Sequence, residues 1–190
     1  IDKYFNYEAA NLEVANLLAK NEIVARCVGR EEWGARALGN RSILCNASKF
    51  ENIEKLNNKI KNRDFWMPFT PSILEEDLHK YIINPKKIKA PYMAITFEST
   101  NLARKHLAAA VHPRDFTMRP QEVIKDWNPS YHDLISKYKE KTGMSGLLNT
   151  SFNLHGEPNV SSPSEAIKTV LDSGLEYVLI NNYLFQKKKI

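Results

Sequence analysis

Three arginines and three glycines surround one tryptophan in the run G-R-E-E-W-G-A-R-A-L-G-N-R-S-I at residues 29–43. A second unusual run, N-T-S-F-N-L-H-G-E-P, fills residues 149–158. Guanidinium groups are costly to bury without an anionic partner, and glycines allow backbone N–H groups to approach that partner closely. Hydroxyls and amides from Asn149, Thr150, Ser151 and Asn153 would add neutral donors and acceptors. Together these residue types suggest a site for a phosphorylated small molecule.

Arg36, Arg41, Arg63 and Arg119, with Lys61, supply cations from three separate segments. Arginine forks bind phosphate and carboxylate-like groups bidentately and stay charged at any working pH. Lys61 and Arg63 alternate, so an extended backbone would point both to one face, with Asn58 on the preceding helix as a further polar contact. Thr150, Ser151 and the N–H groups of residues 149–153 are expected to form a turn that holds phosphate oxygens as a backbone nest does. The five histidines are scattered and no HExxH spacing occurs, so no protein metal site is expected. His112 and His155 read as loop histidines, and Trp33 and Trp66 as packing or cavity-wall residues.

These groups need a scaffold. Apolar spacing predicts a helix over residues 8–20 and strands over 22–28 and 42–45. Ser48 and Glu51 read as a capping box for a helix carrying Ile53, Leu56 and Ile60 on one stripe. The prolines of F-W-M-P-F-T-P-S at residues 65–72 end it. Strands are predicted over 92–97, 107–111 and 117–123, with a surface loop at 84–91. Asn128-Pro129 opens a helix that Gly143 closes, and residues 146–148 form a short strand before the Asn-Thr-Ser turn. Ser162 and Glu165 cap a helix to Asp172, and residues 177–186 make a hairpin. Mixed helices and strands without repeats point to one α/β (mixed α+β) domain.

The motifs G-R-x-E-x-G-x-R-A-L-G-N-R-S-I, I-K-x-R-x-F-x-x-P-F-x-P-S (residues 60–72), T-x-R-P-Q-x-V (117–123) and L-L-N-T-S-F-N-x-x-G-E-P (147–158) occur in that order. They resemble the C-terminal domain of the nodulation and antibiotic-biosynthesis O-carbamoyltransferases. The resemblance runs from about residue 21 onward. It implies a YrdC-like fold, a twisted mixed sheet flanked by helices around a basic cavity. It also implies that this domain follows an N-terminal Kae1-like domain. The pair would make carbamoyl-adenylate from carbamoyl phosphate and ATP, with Mg2+ arriving on the ATP, and pass the carbamoyl group to the hydroxyl of a small-molecule acceptor. Arg36, Lys61, Arg63 and Arg119 would then serve the chemistry. Arg41, Asn149, Thr150, Ser151 and Asn153 would hold the nucleotide, and Ser151 with Asn153 resembles the serine-x-asparagine element of YrdC-type adenylate synthases. The sequence departs from the family pattern at Ala35, at His112-Pro113-Arg114-Asp115 and at Asn159. A threonylcarbamoyl-adenylate synthase for tRNA modification shares the fold and intermediate and is the nearest alternative.

The chain has 190 residues, 43% of them hydrophobic, enough for one domain with a core. It begins at Ile1, and residues 1–20 are expected to be a helix or linker from an upstream domain, with residues 21–190 the YrdC-like unit. No apolar run approaches the roughly 20 residues of a membrane span. Cys27 and Cys45 lie in apolar runs and fit buried free thiols in a reducing cytoplasm. The net charge of +5 favours an anionic partner. A non-catalytic nucleic-acid module is disfavoured, because no aromatics interleave with the terminal lysines.

Overall fold

The computed structural model describes residues 3–4, 7–61 and 68–188. Its centre is an eight-stranded mixed sheet in the order β1 (Lys3–Tyr4), β11 (Tyr183–Gln186), β10 (Tyr177–Ile180), β2 (Val24–Cys27), β3 (Arg41–Cys45), β9 (Gly146–Ser151), β4 (Thr70–Leu74), β8 (Gln121–Val123). The β10–β2 and β4–β8 pairs are parallel and the others antiparallel. Every residue of β2 and β3 is buried, as expected of central strands covered on both faces.

Alternation along the strands divides the core in two. Val24, Leu44, Leu147 and Leu179 pack with Val14 and Leu18 of α1 (Tyr7–Ala19) and Leu134, Ile135 and Tyr138 of α5 (Pro129–Thr142). Ala25, Ile43, Cys45, Leu148 and Val178 pack with Leu56 of α2 (Glu51–Leu56) and Ala166 and Val170 of α6 (Pro163–Leu171). A second sheet joins β5 (Ile82–Ile83), β6 (Phe97–Ser99) and β7 (Thr117–Met118), beside the short helices α3 (Leu78–Tyr81) and α4 (Asn101–His106). Among the described residues no helix is long and apolar enough to cross a membrane.

The caps of α5 and α6 follow the sequence. Asn128 Oδ1 accepts from Tyr131 N at 3.1 Å, and Gly143 turns left-handed at φ 74°. Ser162 Oγ accepts from Glu165 N at 3.3 Å. The box at Ser48 does not form: Ser48 Oγ donates to Asn46 Oδ1 at 2.9 Å, and α2 starts after Phe50 without a side-chain cap. Instead of strands, residues 107–111 contain a 3-10 turn at Ala108–Ala110, and of residues 92–97 only Phe97 joins β6. The stretch 117–123 divides at Pro120 into β7 and β8, which belong to different sheets. β4, with Pro71 opposite Leu148, falls at the prolines that end the helix and was not read as a strand.

One buried polar cluster ties α3 to α5 and β9. Burial alone would raise the Asp77 carboxyl. Hydrogen bonds from Lys139 Nζ (2.5 Å), Lys80 Nζ (2.6 Å) and Ser145 Oγ (2.5 Å) outweigh that effect and hold it well below the usual carboxylate range. A carboxyl depressed in the folded state stabilises the fold above its unfolded pKa of about 3.9, and that contribution is lost as pH falls further. Asp77→Asn should therefore cost about 3 kcal/mol at pH 7, or about 6–12 °C in Tm. Melts followed by circular dichroism at pH 7, 5 and 3 should show the gap to the parent closing only below about pH 4.

Candidate functional site

Residues 29–40 connect β2 to β3, and a carboxylate organises them. Glu32 Oε1 accepts from the backbone N–H groups of Leu38 (2.8 Å), Asn40 (2.6 Å) and Arg41 (3.2 Å). Asn149 Nδ2 holds the Ala37 carbonyl at 3.1 Å and Gln121 Nε2 the Leu38 carbonyl at 2.7 Å. Ser72 Oγ joins the two, donating to Gln121 Oε1 at 2.6 Å and accepting from Asn149 Nδ2 at 3.0 Å. From beneath, the buried Arg26 donates to the Gly39 carbonyl and to Ser130 Oγ. The loop is thus bonded directly to three strands, β9, β8 and β2, and Arg36 is carried at a set position.

That position is the wall of a cavity of about 610 Å³. Arg36, Lys61, Arg119, Asn149, Thr150, Ser151 and Asn153 all line it, with Phe69, Thr70, Met93, His155 and Glu157. Lys61 is buried at 2% exposure. Its Nζ donates to Ser151 Oγ (3.1 Å), Asn153 Oδ1 (2.6 Å) and the Asn153 carbonyl (3.2 Å). Ser151 Oγ also donates to Asn153 Oδ1 at 2.6 Å, so the serine, asparagine and lysine form one cluster.

The electrostatics are those of an anion site. Arg119 Nε is buried and meets no acceptor among the described residues, and the same residues contain no carboxylate paired with Arg119 or Arg36. Burial, and then the positive charge of Arg36, lowers the Arg119 pKa. An anion between the two guanidiniums would relieve both effects. Asn149 Oδ1 is likewise buried without a donor.

Several expectations need correction. Arg41 lies outside the cavity. Its guanidinium donates to the carbonyls of Val28 (3.2 Å), Asn40 (3.2 Å), Gly29 (3.0 Å) and Ser161 (3.2 Å), which makes it a clamp within the fold. Asn149, Thr150 and Ser151 belong to β9, so their backbone is paired in the sheet and forms no nest. Lys61 ends a π-helical turn, Asn57–Lys61, rather than an extended segment. Asn58 is exposed and does not line the cavity. Trp33 is wholly exposed at the loop surface and packs no core. Arg63 and Trp66 lie outside the described residues.

Residue reading missed the organising role of Glu32 and the buried Ser72–Gln121–Asn149 network. Glu32 carried a signal, as a carboxylate lodged between Arg30 and Arg36. Ser72, Gln121 and Asn149 each stand in a separate motif, but they are far apart in sequence and nothing there joins them.

A mixed sheet with helices on both faces and a cationic cavity above its central strands defines a YrdC-like domain. The sequence matches the family described as Carbamoyltransferase C-terminus over residues 15–187, and the chain belongs to that family. It is 37% identical over 175 residues to the nodulation protein NolO of Bradyrhizobium diazoefficiens, covering 92% of this chain and 32% of NolO. It is 31% identical over 175 residues to the 3'-hydroxymethylcephem-O-carbamoyltransferase of Amycolatopsis lactamdurans, covering 92% of this chain and 32% of that enzyme. Full-length HypF, in a phosphate- and nucleotide-bound form, superposes with a TM-score of 0.62 at 20% identity, covering 95% of this chain and 26% of HypF. The chain spans about a third of the length of the curated relatives it matches. The family's name and the name of the cephem enzyme both refer to carbamoyl transfer.

Proposed function

We propose that the cavity binds ATP and carbamoyl phosphate and forms carbamoyl-adenylate, which an upstream Kae1-like domain then uses to carbamoylate a hydroxyl on a small acceptor. The observation that carries this reading is the convergence of Arg36, Lys61, Arg119, Ser151 and Asn153 on one cavity. Its volume of about 610 Å³ lies within the roughly 300–1,000 Å³ typical of small-molecule sites. The phosphate- and nucleotide-bound form of HypF supports phosphate and nucleotide as ligands of this fold, and the cephem enzyme's name supports a hydroxyl acceptor.

Adenylation needs a carbamate oxygen in line with the α-phosphorus while pyrophosphate leaves. Charge neutralisation and positioning do most of that work. Arg36 and Arg119 neutralise the phosphates from opposite segments, Arg36 from the β2–β3 loop and Arg119 from beside β8. Lys61 holds Ser151 and Asn153 in one orientation and adds its own charge. Asn149 Oδ1, buried and unpartnered among the described residues, can accept from the carbamoyl amide or a ribose hydroxyl. Magnesium arrives on the nucleotide, held chiefly by phosphates and water, with Glu157 the carboxylate that lines the cavity. ATP as substrate and the two buried thiols fit a cytoplasmic location.

Isothermal titration with Mg-ATP, parent against Arg119→Ala, tests this reading. The parent should bind, and the variant should bind at least about tenfold more weakly, the loss expected for one charge-assisted phosphate contact. A parent that binds no ATP, or a variant of unchanged affinity, would overturn it.

A further inference from the structure

Trp33 is wholly exposed, and among the described residues no ring or cation meets its indole. The other described tryptophan, Trp127, rests against Tyr92 with ring centroids 6.0 Å apart. An indole is the largest apolar group that a side chain offers, so leaving it in water forgoes more burial than any other residue would. Its place gives that exposure a use. Trp33 stands two residues before Ala35 and three before Arg36, and both of those line the cavity. Two residues of chain span at most about 7 Å, so the indole stands at the cavity mouth.

The loop is held on either side of the tryptophan and free at it. Gly29 N donates to Asn181 Oδ1 at 3.0 Å, and Asn40 Nδ2 to the Arg30 carbonyl at 2.8 Å. Glu32 Oε1, one residue before the indole, takes the backbone N–H groups of Leu38, Asn40 and Arg41. Residues 33–35 enter no hydrogen bond among the described residues. No atom lies within 4 Å of a Cβ built on Gly34, so the tip packs against nothing on that side. Turning the side-chain torsions of Trp33 toward the mouth therefore breaks no bond of the loop, and such turns are fast for an exposed side chain.

The cavity itself is built for charge and lacks a flat apolar wall. Of its cations, Lys61 is buried and Arg36 exposed. A triphosphate drawn inward to them leaves its base toward the exposed end, beside Arg36. Among the described lining residues the one phenyl or indole is Phe69, which is buried and presents no open face. His155 adds an imidazole, a smaller and more polar ring. A purine at the mouth needs a broad π-face, and Trp33 holds one there unused.

We infer that Trp33 is the base-stacking residue of the site: the adenine of bound ATP lies on its indole while the phosphates reach Arg36, Lys61 and Arg119. The assignment rests on the proposed nucleotide. Every base has a π-face, so Trp33 supplies affinity and orientation, and discrimination between bases falls to other groups. Holding the base at the mouth also fixes the α-phosphorus relative to the cations, which adenylation requires.

Titration calorimetry with Mg-ATP and with magnesium tripolyphosphate, on the parent, Trp33→Ala and Trp33→Tyr, tests the assignment. Tripolyphosphate carries the charge without the base. Trp33→Ala should weaken Mg-ATP about tenfold, within the range of one base–aromatic stack, and leave tripolyphosphate within about twofold. Trp33→Tyr should recover most of the loss, because it restores an aromatic face. Trp33 packs against nothing, so its replacement leaves the fold intact. Fluorescence gives a second readout. The sequence has three tryptophans, so Trp66→Phe combined with Trp127→Phe leaves Trp33 as the sole indole. Its emission should be quenched by Mg-ATP and unchanged by tripolyphosphate. Undiminished Mg-ATP affinity in Trp33→Ala, an equal loss for both ligands, or Trp33 emission that Mg-ATP leaves unchanged would each overturn the inference while the adenylation reading stands. A parent that binds no Mg-ATP would overturn both.

Discussion

Lys61→Met should reduce carbamoyl-phosphate-dependent exchange of pyrophosphate into ATP by about 10²–10³-fold, the usual cost of removing one preorganised charged donor from a reacting phosphate. Methionine keeps most of the apolar stem of this buried side chain, so its packing is largely preserved. What disappears is a donor holding Ser151 Oγ, Asn153 Oδ1 and the Asn153 carbonyl. Ser151 still donates to Asn153 Oδ1, so the two side chains remain together while the positive charge is lost. The affinity for ATP should fall far less than the exchange rate, because Arg36 and Arg119 still face the cavity. Lys61→Arg should not restore the rate. A planar fork cannot reproduce three contacts converging on one point charge. Exchange within fivefold of the parent in Lys61→Met would remove Lys61 from the chemistry.

Legibility in the sequence followed the range of the interactions. The caps at Asn128 and Ser162 were readable because each acts on an N–H three residues away. The strands over residues 24–27, 42–45 and 177–180 were readable because their apolar runs are short and bounded by turns. Ser48 failed where those caps succeeded because α2 starts two residues later, after Phe50, which leaves Ser48 out of the cap position, its N–H and hydroxyl both donating to Asn46 Oδ1 in a local turn. β4 was hidden behind Pro71, since proline in a run argues against a strand between two partners. Single strands over 92–97 and 107–111 were wrong because the chain turns at Met93, left-handed at φ 54°, before β6, and forms a 3-10 turn at Ala108–Ala110.

For the site, residue types indicated charge and motifs indicated which charges belong together. Neither could show where a guanidinium points. Arg36 and Arg41 stand five residues apart in one motif. Arg36 lines the cavity, while Arg41 lies on β3 and spends its donors on four carbonyls. The difference follows from placement: a strand residue between two neighbours finds backbone acceptors at hand, and a loop residue does not.

Gly39→Ala should be the most destabilising single substitution in the arginine-rich loop. Gly39 has φ +118°, a conformation that side-chain-bearing residues rarely adopt, and a Cβ built on it would fall 2.2 Å from Tyr131 Cδ1. The ring cannot move aside, since Tyr131 is fully buried beneath the Arg26 guanidinium and wedged in the α1–α5 core. The loop cannot lift without breaking the bond from Gly39 N to Ser42 Oγ (3.0 Å) and the one from Arg26 to the Gly39 carbonyl. Backbone strain and overpacking together should cost about 3–5 kcal/mol, or about 6–20 °C in Tm. Gly34 provides the contrast, because its φ of +108° is just as unfavourable but no atom lies within 4 Å of its built Cβ. Gly34→Ala should therefore lose only the backbone part, about 1–2 kcal/mol. Differential scanning calorimetry of the two variants separates the terms. Equal shifts would mean that the loop does not rest on Tyr131, and the fixed position of Arg36, on which the proposed phosphate binding depends, would lose its physical basis.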